Sequence, residues 1–222
     1  MEPHDTKGLM SKTSTSELCS ICGTCKATTR DHVPPKGIFL PPRPNLITVP
    51  ACHECNQGAS KDDENFRAFV SMHGYGNSHK AEKLFWDRTV PRLRRNPKFR
   101  TDILSKIEPV NMISGKIFIG RAFRGKWDSE VHHRVIERIM RGLYFHHFRE
   151  ILGDCFKVNT QWLKWESLKE FDFIKQMKLC VIDQEQFTYL YVRTKSYPLV
   201  SIWIFEFFKS HWASGYTCSF GL

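Results

Sequence analysis

Cys19-Ser20-Ile21-Cys22-Gly23, Asp31-His32-Val33-Pro34, Asn45-Leu46-Ile47 and Cys52-His53-Glu54-Cys55-Asn56 follow one another in a single short stretch of the chain. Two thiolates separated by two residues can share one ion from a tight knuckle, and two such knuckles complete a tetrahedral sulfur site for zinc. Gly23 suits the turn that closes the first knuckle. Cys25 offers a competing pair with Cys22, but the glycine favours Cys19 with Cys22, and Cys25 reads as a bystander. The 29 residues from Gly23 to Ala51 exceed the gap of a simple zinc ribbon, so something is nested inside.

The nested part reads as two extended pieces, Thr29–Val33 and Asn45–Val49, joined by the stiff Pro-rich run Pro34–Pro44. Val33 is biased towards extended geometry by the proline that follows it. After the second knuckle, Ser60 is expected to cap a helix. Asp62, Asp63 and Glu64 fall in its first turn, where they suit the helix dipole. Phe66, Phe69 and Val70 then recur at helical spacing up to a stop at Gly74.

With those residues in view, the segment resembles the HNH or ββα-metal nucleases, in particular their zinc-stabilised branch. The match covers about a fifth of the chain, and nothing after residue 76 carries it. The resemblance implies a two-stranded hairpin and a helix clamped round one catalytic Mg²⁺ or Mn²⁺ ion. Asp31 and Asn56 would be the protein ligands of that ion, His32 the general base, and Asn45 the residue that steadies the loop. The residue types agree with those roles. Carboxylate and amide oxygens are hard donors, and a neutral imidazole takes protons near physiological pH. Zinc on Cys19, Cys22, Cys52 and Cys55 would be structural, since so small a unit buries little surface without it.

The formal charge of +10 is unevenly spread. Residues 1–80 hold 9 Lys/Arg against 8 Asp/Glu, residues 81–150 hold 16 against 8, and residues 151–222 hold 8 against 7. A localised excess is what phosphate-backbone binding needs, although a solvated helix face is the ordinary alternative. Beside the nuclease pattern, Arg92, Arg94, Arg95, Lys98, Arg100, Arg121, Arg124 and Lys126, with Lys61, are read as a DNA-contacting surface. Arg67 is either a phosphate contact or solvated. Phe99, Phe123 and Trp127 interleave with these cations and are read as core more readily than as base-stacking residues. His53 is expected to be exposed, and the pairs His132/His133 and His146/His147 are not expected to share a metal.

The fold class expected is α+β: an N-terminal zinc-bound ββα motif, then helices and a C-terminal antiparallel sheet. Residues 1–17 read as a flexible terminus, 18–76 as the nuclease segment and 77–222 as a basic helical and β domain. A short helix is expected over Lys80–Arg88. Another opens at Asn96-Pro97 and runs to about Ile107, and a strand follows at Lys116–Phe123. The longest helix starts at Asp128, with Val131, Val135, Ile139, Leu143 and Phe148 on one side and a stop at Gly153. Leu179–Ile182, Phe187–Val192 and Leu199–Phe208 read as strands of a meander. Cys155, Cys180 and Cys218 stand singly and read as buried thiols.

The chain has no apolar run of membrane-spanning length, and residues Met1 to Ser16 are polar without the apolar stretch of a secretory signal, so export is not expected. Its clustered cysteines point to metal in a reducing cytoplasm. DNA is the expected partner, a membrane is not, and a second copy or a regulatory protein is compatible with the body. Restriction or phage defence is the setting that the resemblance implies. The competing readings are a non-catalytic zinc-dependent nucleic-acid binder and a nuclease subunit gated by a partner.

Overall fold

A computed structural model describes residues 17–74, 76–126, 128–153, 156–163, 172–194 and 200–219. Strand β1 (Thr29–His32) pairs antiparallel with β2 (Thr48–Ala51), Asp31 opposite Val49 and His32 opposite Thr48. The connection between them makes a 3-10 turn at Lys36–Ile38, and it is held down by Ile38 and Phe39, both buried. The second strand thus lies three residues later than the sequence pattern suggests at its start, because Asn45–Ile47 belongs to the approach loop.

Ser60 does not cap a helix. A π-helical turn over Glu54–Gly58 leads into α1 (Ser60–His73), whose preceding residue Ala59 is already helical and gives no side-chain cap. The second cysteine pair opens the helix, so Asn56 is carried on its first turn. Gly74 ends α1 as expected, donating its N–H to Val70 O at 3.0 Å.

Helix α2 (His79–Leu84) starts on a Ser78 cap and continues through a π turn, Phe85–Thr89, into α3 (Val90–Arg95). Asn96 caps α4 (Pro97–Ser105), accepting from Phe99 N at 3.0 Å, and Pro97 occupies the first position. Ile107 is not helical. It opens β3 (Ile107–Ser114), which pairs with β4 (Ile117–Gly125) in a separate two-stranded ribbon. Helix α5 (Ser129–Phe148) begins on Asp128 and ends at Arg149 in the left-handed region (φ 58°), four residues before Gly153.

The C-terminal part is a five-stranded antiparallel sheet in the order β5-β9-β8-β7-β6. It comprises β5 (Phe156–Leu163), β6 (Lys178–Asp183), β7 (Phe187–Arg193), β8 (Ser201–Phe207) and β9 (His211–Ser219). The meander of the sequence reading is present, with β5 and β9 added at one side.

Helix α5 is packed between this sheet and the N-terminal hairpin. Val135, Ile139, Leu143 and Tyr144 are fully buried on it, together with Trp203, Phe205 and Phe207 of the sheet. On the hairpin side it approaches so closely that a Cβ on Gly142 would stand 2.5 Å from Val33 Cγ1. One apolar cluster therefore runs from Cys19 and Val33 through α5 to Phe207, across the boundary expected near residues 76–80. No helix among the described residues is long and apolar enough to cross a membrane. Residues 1–16, Trp127 and Cys155 lie outside the described residues.

Candidate metal centre and the polar site beside it

The first knuckle is closed by Gly23, at φ 74°, whose N–H reaches Cys19 O at 2.8 Å. Cys19 N donates in turn to Cys25 O at 2.8 Å. The second knuckle is closed by Cys55 N–H to Cys52 Sγ at 3.4 Å and Asn56 N–H to Cys52 O at 3.1 Å. Ser20 joins the two by donating from Oγ to Pro50 O at 2.7 Å, and Thr28 N bonds Ala51 O at 3.0 Å. As a result the sulfurs of Cys19, Cys22, Cys52 and Cys55 lie within 4.8 Å of one another.

Four thiolates so close cannot all ionise without a cation between them. Burial and the neighbouring sulfurs push the Cys55 thiol up. At Cys22 burial acts in the same direction, but hydrogen bonds from Thr24 and the Cys25 backbone outweigh it and bring the thiol down to about 6. The donor set fits a tetrahedral ion such as zinc. Cys25 is exposed and stays outside the cluster, and His53 is exposed as expected.

Asp31 and His32 occupy the end of β1 and, as adjacent strand residues, face opposite ways. Asp31 is 5% exposed. Its Oδ1 accepts the His32 N–H at 2.8 Å. Its Oδ2 accepts no hydrogen bond and lies 3.4 Å from Arg138 Nε. Arg138 reaches in from α5 and also pairs with Asp63 on the first turn of α1. Burial raises the Asp31 carboxyl above its usual range, with Arg138 opposing. Burial likewise raises Asp63, to about 6, against Arg138 and with Asp31 and Asp62 adding to the rise.

Asn56 meets the same face of β1. Its Nδ2 donates to Thr29 Oγ1 and to Arg30 O, both at 3.1 Å. These bonds fix the turn that carries Asn56 to the strand that carries Asp31. His32, half-buried on the other face, is lowered from its ordinary value by burial, then by Lys36; Asp31 opposes and Arg43 adds to the lowering. Arg43 Nε donates to the backbone carbonyl of Lys36 at 3.4 Å, which ties the Arg43 guanidinium to the loop. Asn45 is exposed in the approach to β2, and no side-chain hydrogen bond of Asn45 occurs among those of the described residues.

Asp63, Arg138, Lys36 and Arg43 were not singled out from the sequence. Asp63 reads there as a helix-dipole residue, and Arg138 gives a local hint only through its spacing. Arg134, Arg138 and Arg141 recur at four and three residues, a polar stripe that borders the apolar face of α5, with Arg138 itself buried. Arg134 uses that stripe to hold Asp62 at 2.6 Å.

The basic residues nominated for DNA divide into separate groups. Arg92 is bound to Glu64 at 2.6 Å, and Arg67 meets the same carboxylate at 3.5 Å, so Arg67 is not simply solvated. Lys61, Arg94, Arg95, Lys98 and Arg100 are exposed on α1, α3 and α4. Arg121, Arg124 and Lys126 lie on or beside β4, and Arg124 Nε donates to Glu108 at 2.8 Å. Phe99 is buried, whereas Phe123 is exposed, against the expectation of core packing. Compared with protein-family models, curated proteins and solved structures, the chain has no match.

Proposed function

We propose that the chain is a DNA endonuclease of the ββα-metal kind, hydrolysing phosphodiesters at His32 with a structural zinc on Cys19, Cys22, Cys52 and Cys55. The observation that carries this reading is Asp31 Oδ2, a buried carboxylate oxygen without a hydrogen bond that faces Arg138, on the same strand to which the Asn56 amide is bonded. Asp31 and Asn56 offer hard oxygen donors of the type that suits Mg²⁺ or Mn²⁺. When bound, a divalent ion polarises the phosphoryl oxygen and stabilises the leaving oxygen.

The chain's own residues supply the rest. His32 is held neutral at physiological pH, so a ring nitrogen can accept the proton of the attacking water. Lys36 and Arg43 place positive charge beside it, where an entering phosphate diester would be drawn. Arg138 fixes the Asp31 carboxylate and offsets part of the buried negative charge. Asn45, at the mouth of the same loop, would steady its path when substrate binds.

The test is supercoiled plasmid incubated with Mg²⁺ or Mn²⁺, against EDTA and against His32→Ala. Loss of cleavage by roughly 10²–10⁴-fold is expected for the variant. Wild-type cleavage by His32→Ala removes the mechanism. Retained DNA binding with no metal-dependent cleavage by the wild-type chain leaves the non-catalytic binder.

A further inference from the structure

The β3–β4 ribbon stands out from the rest of the protein. Ile113, Ile117, Phe118, Ile119 and Phe123 are 63%, 70%, 59%, 58% and 77% exposed. Every residue from Asn111 to Ile119 is exposed, so neither face of the distal ribbon is covered among the described residues. Its base is held by α4 and Phe69, while β3, eight residues long, reaches about 25 Å. A two-stranded ribbon has marginal stability in water, and bare apolar residues in such number mark a contact surface.

The charge on the ribbon says which partner fits. Residues 111–123 contain Lys116 and Arg121 and no acidic residue. Glu108, the one acid of the ribbon, is already engaged by Arg124. A second copy of this chain is a poor occupant, because each copy carries a formal +10 and their like charges repel. A polyanion fits the cations, and flat bases or sugar edges fit the aromatic and branched side chains between them.

The ribbon is also shaped for a groove. Gly115, at φ 63°, makes the two-residue turn, and a register shift between Met112 and Ile113 adds local twist.

We propose that this ribbon is an arm that enters a groove of duplex DNA. Lys116 and Arg121 contact phosphates, and Phe118 and Phe123 wedge against base steps and unstack them, as apolar wedges do in architectural proteins. The proposal rests on DNA being the substrate in the reading above. It assigns the arm the task of gripping and distorting the duplex away from His32.

The test uses the full chain and a short fluorescein-labelled duplex, with a 2-aminopurine-labelled copy to report unstacking, and no added Mg²⁺ or Mn²⁺. The salt dependence of binding should fall by about two phosphates' worth in K116Q/R121Q, near 0.9 in slope for each. F118S/F123S should keep the slope, lose the 2-aminopurine signal and bind roughly tenfold more weakly. These positions are exposed, so the fold is expected to persist, with circular dichroism as the check.

Unchanged affinity and slope in both variants overturns the proposal. So does a wild-type dimer in sedimentation that F118S/F123S converts to monomer, which would give the arm to a second copy. Arm-dependent duplex binding by a chain that never cuts plasmid removes the nuclease reading and leaves the arm. Plasmid cleavage with both arm variants binding like wild type does the reverse.

Discussion

Arg138 joins three segments that are distant in sequence, meeting Asp31 of β1 and Asp63 of α1 from its place on α5. One buried and one partly buried carboxylate share one guanidinium, so removing the cation leaves both uncompensated. Arg138→Met is expected to cost about 3–5 kcal/mol, read as a lower urea midpoint; a midpoint within error of wild type would mean that water reaches the pair. At His32 the sign is set by a lowered folded-state value. The base is then already neutral at pH 7, and the acid limb of the rate profile should fall only below the ordinary imidazole value of 6.5. Cleavage rates measured across pH 5–8 check this, and a limb centred above 6.5 would contradict it.

At the level of strands and helices, the hairpin β1–β2 is short, and a zinc ion on the four cysteines would clamp it. Stripping metal with a chelator, or Cys55→Ser, should release one zinc per chain and lower the melting temperature, since apparent zinc binding supplies roughly 10–16 kcal/mol in small zinc domains. Metal analysis alongside a thermal melt reads both, and an unchanged melt would sink the structural role. Helix α5 gives a sharper contrast. Replacing Gly142 with alanine should gain helix propensity of about 1 kcal/mol, yet the added Cβ would stand 2.5 Å from Val33 Cγ1. Gly142→Ala is therefore expected to destabilise the chain, seen as a lower urea midpoint, because backbone proximity there outweighs propensity. Gly142 is where the hairpin and the body meet.

Across the protein as a unit, one core links the four-cysteine end to the sheet, so stability is shared and acid should act on all of it. His73, His132 and His211 are packed round Phe69 and Trp162. Burial lowers all three, with His132 down to about 3. The unfolded chain binds more protons than the folded one once pH drops below the ordinary value. Their contribution is therefore complete above pH 6.5, the ordinary histidine value, and is lost as pH falls below it, for His132 down to about 3. The loss is about 1.4 kcal/mol per pH unit for each proton excluded. Urea midpoints at pH 7.5 and 5 should differ accordingly, and equal midpoints would show that protonated histidines are accommodated.

Local chemistry was enough to read several features from the residues. The paired CxxC knuckles, the caps at Asn96 and Asp128, the stop at Gly74 and the C-terminal strands all follow from contacts or propensities a few residues apart. The other features depend on side chains distant in the chain. Ser60 lost its cap role because the second knuckle starts the helix earlier, and β3 was unreadable until β4 paired with it. Phe123 reads as core by hydrophobicity, yet its ribbon lies clear of the core, a matter of where the ribbon leaves the body. The burial of Asp63 with Arg138 has the same origin: charge and spacing place both on helices, but only the crossing of α5 over α1 brings them together. Periodicity records which side of a strand or helix is apolar; it carries no record of what that side will meet.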